Sequence, residues 1–194
     1  MIADIAGNEI LGYIPEYVMF DLETTGLDTE IDSIVEIGAV RVRHHEVVSE
    51  FRTLVNPYRE IPQEVIDLHG IDNDSVAGCL GIKQALGMFD TFIADDILVG
   101  QNIINFDLPL IYRDSREYFD GKVFGNDYCD MLKLAREALP GLQSHSMKFL
   151  GEMFGCSKEN PHRALQDCHR QYEVFEWLGK VNHPSPKGNG LLRA

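Results

Sequence analysis

With 194 residues, 44% of them apolar, the chain is long enough to bury a core without staples, and no run of 18 apolar residues offers a membrane span. Its formal net charge of −14 excludes a broad basic surface for polyanions and leaves room only for a short-footprint grip supported by divalent cations. The four cysteines, Cys79, Cys129, Cys156 and Cys168, contain no C-x-x-C pair, so buried reduced thiols are expected rather than a zinc or redox site.

Met1-Ile2-Ala3-Asp4-Ile5 lacks the basic start and long apolar run of a signal peptide, so a cytoplasmic location is expected. Residues 1–16 read as an N-terminal extension, with 10–14 as a short strand beside the next one. Residues 17–23 make the first clear strand. Alternation puts Asp21 and Glu23 on one face with Met19, and Val18, Phe20 and Leu22 on the other, before Thr24-Thr25-Gly26 ends it. Residues 34–42 and 47–55 are two further strands, joined as a hairpin through Arg43-His44-His45-Glu46. Pro57 and Pro62 mark a loop, and residues 63–68 a helical turn followed by Gly70.

From there helices and short strands alternate. Residues 82–94 read as a helix, 97–100 as a buried strand, 106–118 as a helix and 123–129 as another short strand. Residues 131–139 are helical and stopped by Pro140-Gly141. Residues 144–154 form a helix with Ser144 or Ser146 as its cap and Gly155 as its stop. Pro161 favours a helix start nearby, and Leu165, Cys168, Tyr172, Phe175 and Leu178 recur at steps of three and four along the last helix. Residues 17–180 thus form one domain, and residues 181–194, with Pro184-Ser185-Pro186-Lys187-Gly188, a flexible tail. Strands first, then helices alternating with short strands, predict an α/β domain around a mixed sheet.

Five side chains in this frame suit one chemistry: Asp21, Glu23, Asp107, His162 and Asp167. Two acids one residue apart on a strand project from one face and repel each other unless a hard cation such as Mg²⁺ or Mn²⁺ sits between them. A bare D-x-E is more often a solvated strand end, but the Gly26 turn beside it lets backbone approach a ligand closely. Asp107 begins a predicted helix and complements its dipole, and Asp167 lies among apolar neighbours in the last helix. His162 stands five positions before Asp167, about 140° away around an ideal helix, so it belongs on the entry loop, from which it can swing in as a general base. Four carboxylates and an imidazole can hold two divalent metals and activate water against a phosphodiester. Asp21 is the candidate bridge between the metals, Glu23 and Asp167 hold the metal carrying the nucleophile, and Asp107 supports the second.

At these positions the chain resembles the DEDDh family of 3′–5′ exonucleases, the group that includes the proofreading subunit of bacterial DNA polymerase III. The likeness covers about residues 17–178. Phe20-Asp21-Leu22-Glu23-Thr24-Thr25-Gly26-Leu27 looks like the first motif, and His162-Arg163-Ala164-Leu165-Gln166-Asp167 like the third in its histidine form. Leu68-His69-Gly70-Ile71 and His145-Ser146-Met147 also resemble family segments. The second motif departs: Asn102 stands five residues before Asp107 instead of four, and Gln101 stands where the family often has His. The run Gly100-Gln101-Asn102-Ile103-Ile104-Asn105-Phe106-Asp107 is similar instead to the exonuclease motif of family B DNA polymerases.

The resemblance implies a ribonuclease H-like fold with a central five-stranded mixed sheet and two Mg²⁺ or Mn²⁺ ions. It implies release of nucleoside 5′-monophosphates from the 3′ end of a nucleic acid, single-stranded DNA before RNA, with a DNA polymerase as a candidate partner. Thr24, Thr25 and Leu27 are implied contacts to the terminal nucleotide, with His69, Asn102 and Phe106 as further substrate-binding candidates. RNA trimming is the alternative within the family. A non-catalytic interaction module is disfavoured because all five side chains are present.

Overall fold

The structure, a computed structural model, describes residues 6–156 and 162–182. Strands β1 (Tyr17–Thr24), β2 (Ile34–Arg43) and β3 (Glu46–Asn56) form an antiparallel meander, with Asp21 opposite Gly38 and Glu23 opposite Glu36. The β2–β3 hairpin turns on His44 and His45, both at positive φ (52° and 66°), the handedness that matches strand twist. Helix α1 (Gln63–His69) ends on Gly70 at φ 70°, a left-handed cap for which glycine carries no steric penalty. It is followed by α2 (Asn73–Val76), β4 (Leu80–Gly81) and α3 (Ile82–Ile93). Then come β5 (Leu98–Gly100), α4 (Asp107–Tyr118), β6 (Tyr128–Asp130) and α5 (Met131–Ala138). Helices α6 (Met147–Phe154) and α7 (Ala164–Asn182) complete the described chain.

The sheet order is β4-β3-β2-β1-β5-β6, with β5 parallel to β1 and β6 parallel to β5. This is the ribonuclease H-like α/β fold, with six strands rather than the expected five. The addition, β4, pairs Leu80 and Gly81 with Val55 and Asn56; two residues have no period to read, so only the pairing defines the strand. Two further expectations are corrected. The strand predicted at 123–129 is confined to Tyr128–Asp130. The segment predicted to lie beside β1 pairs at the far edge instead: Glu9 bridges Tyr128, and the Ile10 N–H donates to the Tyr128 carbonyl at 2.7 Å. It thereby covers backbone groups that an open edge would leave exposed.

Both faces of β1 are buried, which is why its apolar residues do not alternate with solvent-facing ones. Val18, Phe20 and Leu22 pack against Leu86 and Phe89 of α3 and Leu108 and Ile111 of α4. Tyr17 and Met19 pack against Cys168, Phe175 and Leu178 of α7, with Leu134 and Leu150 from α5 and α6. The predicted stripe of the last helix lies in this second core, with Leu165 and Tyr172 at its margin. Ser146 caps α6 by accepting the Phe149 N–H, and Gly155 ends it at φ 71°. Helix α7 continues two residues past the predicted boundary at 180. The tail from 183 onward, residues 1–5 and Pro161 lie outside the described residues. All four cysteines are free; three are buried as expected, and Cys79 is half-buried. Among the described residues no helix is long and apolar enough to cross a membrane.

Candidate active site

The C-terminal end of β1, the N-terminus of α4 and the first turn of α7 meet at one place. Asp21, Glu23 and Asp167 each contribute a carboxylate oxygen there, all within 4.8 Å of one another. Strand alternation aims Asp21 and Glu23 toward α7, and two contacts bring α7 down to them. Gly38, directly opposite Asp21, has no side chain where one would strike the α7 backbone: an added Cβ would lie 2.4 Å from the Ala164 carbonyl carbon and from the Leu165 nitrogen. Glu36, fully buried on β2, anchors the start of the helix. It accepts the Ala164 N–H at 3.0 Å and bonds the Arg163 guanidinium at 2.8 Å and Arg52 at 2.6 Å. A buried carboxylate needs such partners to remain charged. Sequence reading missed this role; the available signal was an acid inside the apolar run Ile34-Val35-Glu36-Ile37.

Asp107 is buried at the first position of α4 and bonds its own backbone N–H and that of Leu22. It stands outside the group of three, although its charge reaches Asp21 and Glu23. His162 precedes α7 on the entry turn at φ 85°, a left-handed conformation uncommon for a residue with a Cβ. Asp167 Oδ2 holds it there by accepting the His162 N–H at 2.7 Å. The imidazole itself does not belong to the oxygen cluster.

Collecting the acids makes ionisation costly. Burial, then the charges of Asp107, Asp167 and Glu23, hold Asp21 well above the ordinary carboxylate range. Burial, followed by Asp167, Glu36 and Asp107, pushes Glu23 up to about 8. Burial raises Asp107 to about 7 against the pull of its two backbone N–H partners. It also raises Asp167, despite the His162 N–H and charge. Hard oxygen donors that resist ionisation in one another's company fit a divalent cation, which replaces the shared protons with positive charge.

A pH dependence follows. Glu23 rises from 4.5 to about 8 on folding, so between those values the folded, metal-free protein binds more protons than the unfolded chain. Stability from this group is therefore complete below pH 4.5 and lost as the pH rises to about 8. Mn²⁺, binding only the ionised folded site, should restore it. The rise in thermal midpoint on replacing EDTA with Mn²⁺ should accordingly grow from pH 6 to pH 8; a rise of constant size across that range would contradict the assignment.

Several candidate substrate contacts are already engaged within the protein. The Thr24 hydroxyl donates to the Gly26 carbonyl at 2.6 Å. Thr25 Oγ1 donates to Asp32 at 2.8 Å and accepts the Ser33 N–H at 3.0 Å. These bonds stiffen the turn and engage both hydroxyls within the protein, as the Ser33 carbonyl engages the Thr25 N–H at 2.8 Å. Leu27 at its tip is 85% exposed. His69 is only 4% exposed, and its Nδ1 accepts the Ile71 N–H, which puts the proton on Nε2, facing the Thr24 carbonyl at 3.3 Å. Burial lowers its pKa, so the neutral ring braces the end of β1 from behind. Asn102, at φ 61°, accepts from the Asn105 amide, and Phe106 packs at the margin of the first core. Asp130 organises this loop by accepting the N–H groups of Asn102 and Ile104 while capping α5, a role not visible in its local sequence.

Comparison with known proteins places this arrangement. The chain is 37% identical over 159 residues to the DNA polymerase III subunit epsilon of Aquifex aeolicus (strain VF5), covering 82% of this chain and 78% of that one. It is 35% identical over 165 residues to the PolC-type DNA polymerase III of Clostridium perfringens, covering 85% of this chain but only 11% of that much longer protein. Among solved structures it is similar to exonuclease X in complex with 5′ overhanging duplex DNA, at a TM-score of 0.67 and 24% identity, covering 87% and 93% of the two chains. It is also similar to the zinc-bound E. coli ExoI–ssDNA complex, at a TM-score of 0.75 and 18% identity, covering 87% of this chain and 41% of that one. At these identities the two structures support the fold alone. Residues 18–175, from the first core strand to the last helix, match RNase_T, described as an exonuclease family, and to that family this chain belongs.

Proposed function

We propose that this chain is a metal-dependent 3′–5′ exonuclease that removes nucleotides from the 3′ end of single-stranded DNA, as the proofreading activity of a DNA polymerase. The observation that carries the reading is the convergence of Asp21, Glu23 and Asp167 within 4.8 Å at a half-buried site where their charges need a counter-ion. The choice of DNA and of a polymerase partner draws support from the DNA polymerase III relatives.

Two Mg²⁺ or Mn²⁺ ions would neutralise charge developing on the phosphate and acidify the attacking water. Asp21, Glu23, Asp167 and Asp107 would hold these ions, Asp21 as the candidate shared ligand, Glu23 and Asp167 for the ion that activates the water and Asp107 for the ion that steadies the leaving oxygen. His162, on the turn before α7, takes the proton from the water as its oxygen bonds phosphorus. The P–O3′ bond breaks, the 3′ oxygen leaves to gain a proton from solvent, and a nucleoside 5′-monophosphate is released. Leu27 offers the terminal base an apolar surface.

The test is a Mn²⁺-dependent nuclease panel on 5′-labelled single-stranded DNA, duplex DNA with a mismatched 3′ end, and short RNA. The expected result is stepwise shortening from the 3′ end, with DNA faster than RNA and the mismatched terminus faster than a paired one. Faster loss of RNA would replace DNA proofreading with RNA trimming, and no shortening of any strand would favour a non-catalytic module.

A further inference from the structure

Asp21 has a partner outside the acid cluster. One turn beyond Asp167, on the same face of α7, Gln171 lies buried with its Nε2 2.7 Å from Asp21 Oδ1. The other end of its amide is occupied as well: Oε1 accepts the backbone N–H of Gln101 at 3.0 Å, at the end of β5. Gln101 in turn donates through Nε2 to the His145 carbonyl at 3.1 Å, ahead of α6. One amide on α7, a turn past the third motif, thus ties the second motif to the first.

The direction of that amide is determined by its neighbours. A backbone N–H can only donate, so the amide oxygen must face Gln101, which leaves the amide nitrogen facing Asp21. Glutamate would put a second carboxylate against Asp21. An apolar side chain would leave the Gln101 N–H without this acceptor and free Asp21 to turn away from the like charges beside it.

We propose that Gln171 is a positioning residue for the metal site: it holds Asp21 Oδ1 by one hydrogen bond so that the remaining carboxylate lone pairs point into the acid cluster. This rests on the reading of Asp21 as a metal ligand and adds a residue that acts on the metal only through Asp21. Outer hydrogen-bond partners of this kind typically change metal affinity by 10–100-fold.

The experiment compares the full-length wild type with Gln171→Met, which matches the length of the side chain and removes both bonds, and with Gln171→Asn, which keeps the amide but is too short to span both partners. Mn²⁺ binding is measured by calorimetry and by the Mn²⁺-induced thermal shift, independently of activity. The expected result is a Mn²⁺ dissociation constant raised about tenfold in both variants. KM for the oligonucleotide should stay within about twofold, and kcat should recover largely at high Mn²⁺. If Gln171→Met does not fold, Gln171→Asn decides. Mn²⁺ affinity within twofold of wild type in the folded variants overturns the positioning role, as does a tenfold affinity loss accompanied by an equal rise in KM. Asp21→Asn separates the two layers. If it binds Mn²⁺ as wild type does, or if wild type binds none, the metal-site reading fails and the proposal with it. If Asp21→Asn loses Mn²⁺ while the Gln171 variants keep it, only the positioning role fails.

Discussion

Asp21→Ala should lower the exonuclease rate by at least about a thousandfold, equivalent to about 4 kcal/mol of lost transition-state stabilisation. Among the described residues no other carboxylate is so placed. It shares the oxygen cluster with Glu23 and Asp167, receives the Gln171 hydrogen bond and lies within electrostatic reach of Asp107. The same change should leave the metal-free protein at least as stable as wild type above pH 7, because it removes one of four mutually repelling acids. That pairing of lost activity with retained or increased stability distinguishes a ligand from a structural carboxylate. It is read from the shortening rate of a 5′-labelled strand at saturating Mn²⁺ and the thermal midpoint in EDTA. A variant that keeps a tenth of the wild-type rate would refute the role. His162→Ala provides the contrast: as a general base it should lose about 10²–10⁴-fold in kcat, with Mn²⁺ affinity little changed because its imidazole lies outside the oxygen cluster.

Gly38→Val should destabilise the fold by about 3 kcal/mol and lower Mn²⁺ affinity together with it. The clash is with backbone. An added Cβ meets the Ala164 carbonyl carbon and the Leu165 nitrogen at 2.4 Å, and no side-chain rotation can relieve that. Helix α7 must lift from β2, which stretches the bonds from Glu36 to Ala164 and Arg163 and moves Asp167, three residues further along, away from Asp21. Even Gly38→Ala should show the effect at reduced size. Urea unfolding and Mn²⁺ calorimetry check the two consequences. A loss below about 1 kcal/mol with unchanged metal affinity would show that the helix tolerates displacement, contrary to the close packing seen here.

The first and third motifs were legible because each is local. Strand alternation alone sends Asp21 and Glu23 to one face, and the five-residue gap before Asp167 puts His162 ahead of the helix, where the structure has it. Hairpin, helix caps and the apolar stripe of α7 follow from spacings of two to four residues, which the sequence displays directly. The neighbours of the acids were not legible. Glu36 reads as an odd charge in an apolar strand until α7 lies on it, and Gln171 reads as an ordinary polar position on a helix until Gln101 and Asp21 occupy its two ends. The candidate substrate contacts Thr24, Thr25 and His69 carry side chains whose polar atoms are taken by the protein, which spacing could not reveal.

From residue order alone come the chemistry available to this chain, acids of a kind that bind hard cations and a histidine able to take a proton, and the local elements that carry them. Sheet order, the docking of α7 against Gly38, the pairing of the N-terminal segment with β6 and the resulting crowding of carboxyl groups arise only when segments distant in the sequence pack together. The physical reason is that periodicity reports the environment along one element, whereas distances between elements are set by the shapes that their side chains, or the absence of one, present to each other.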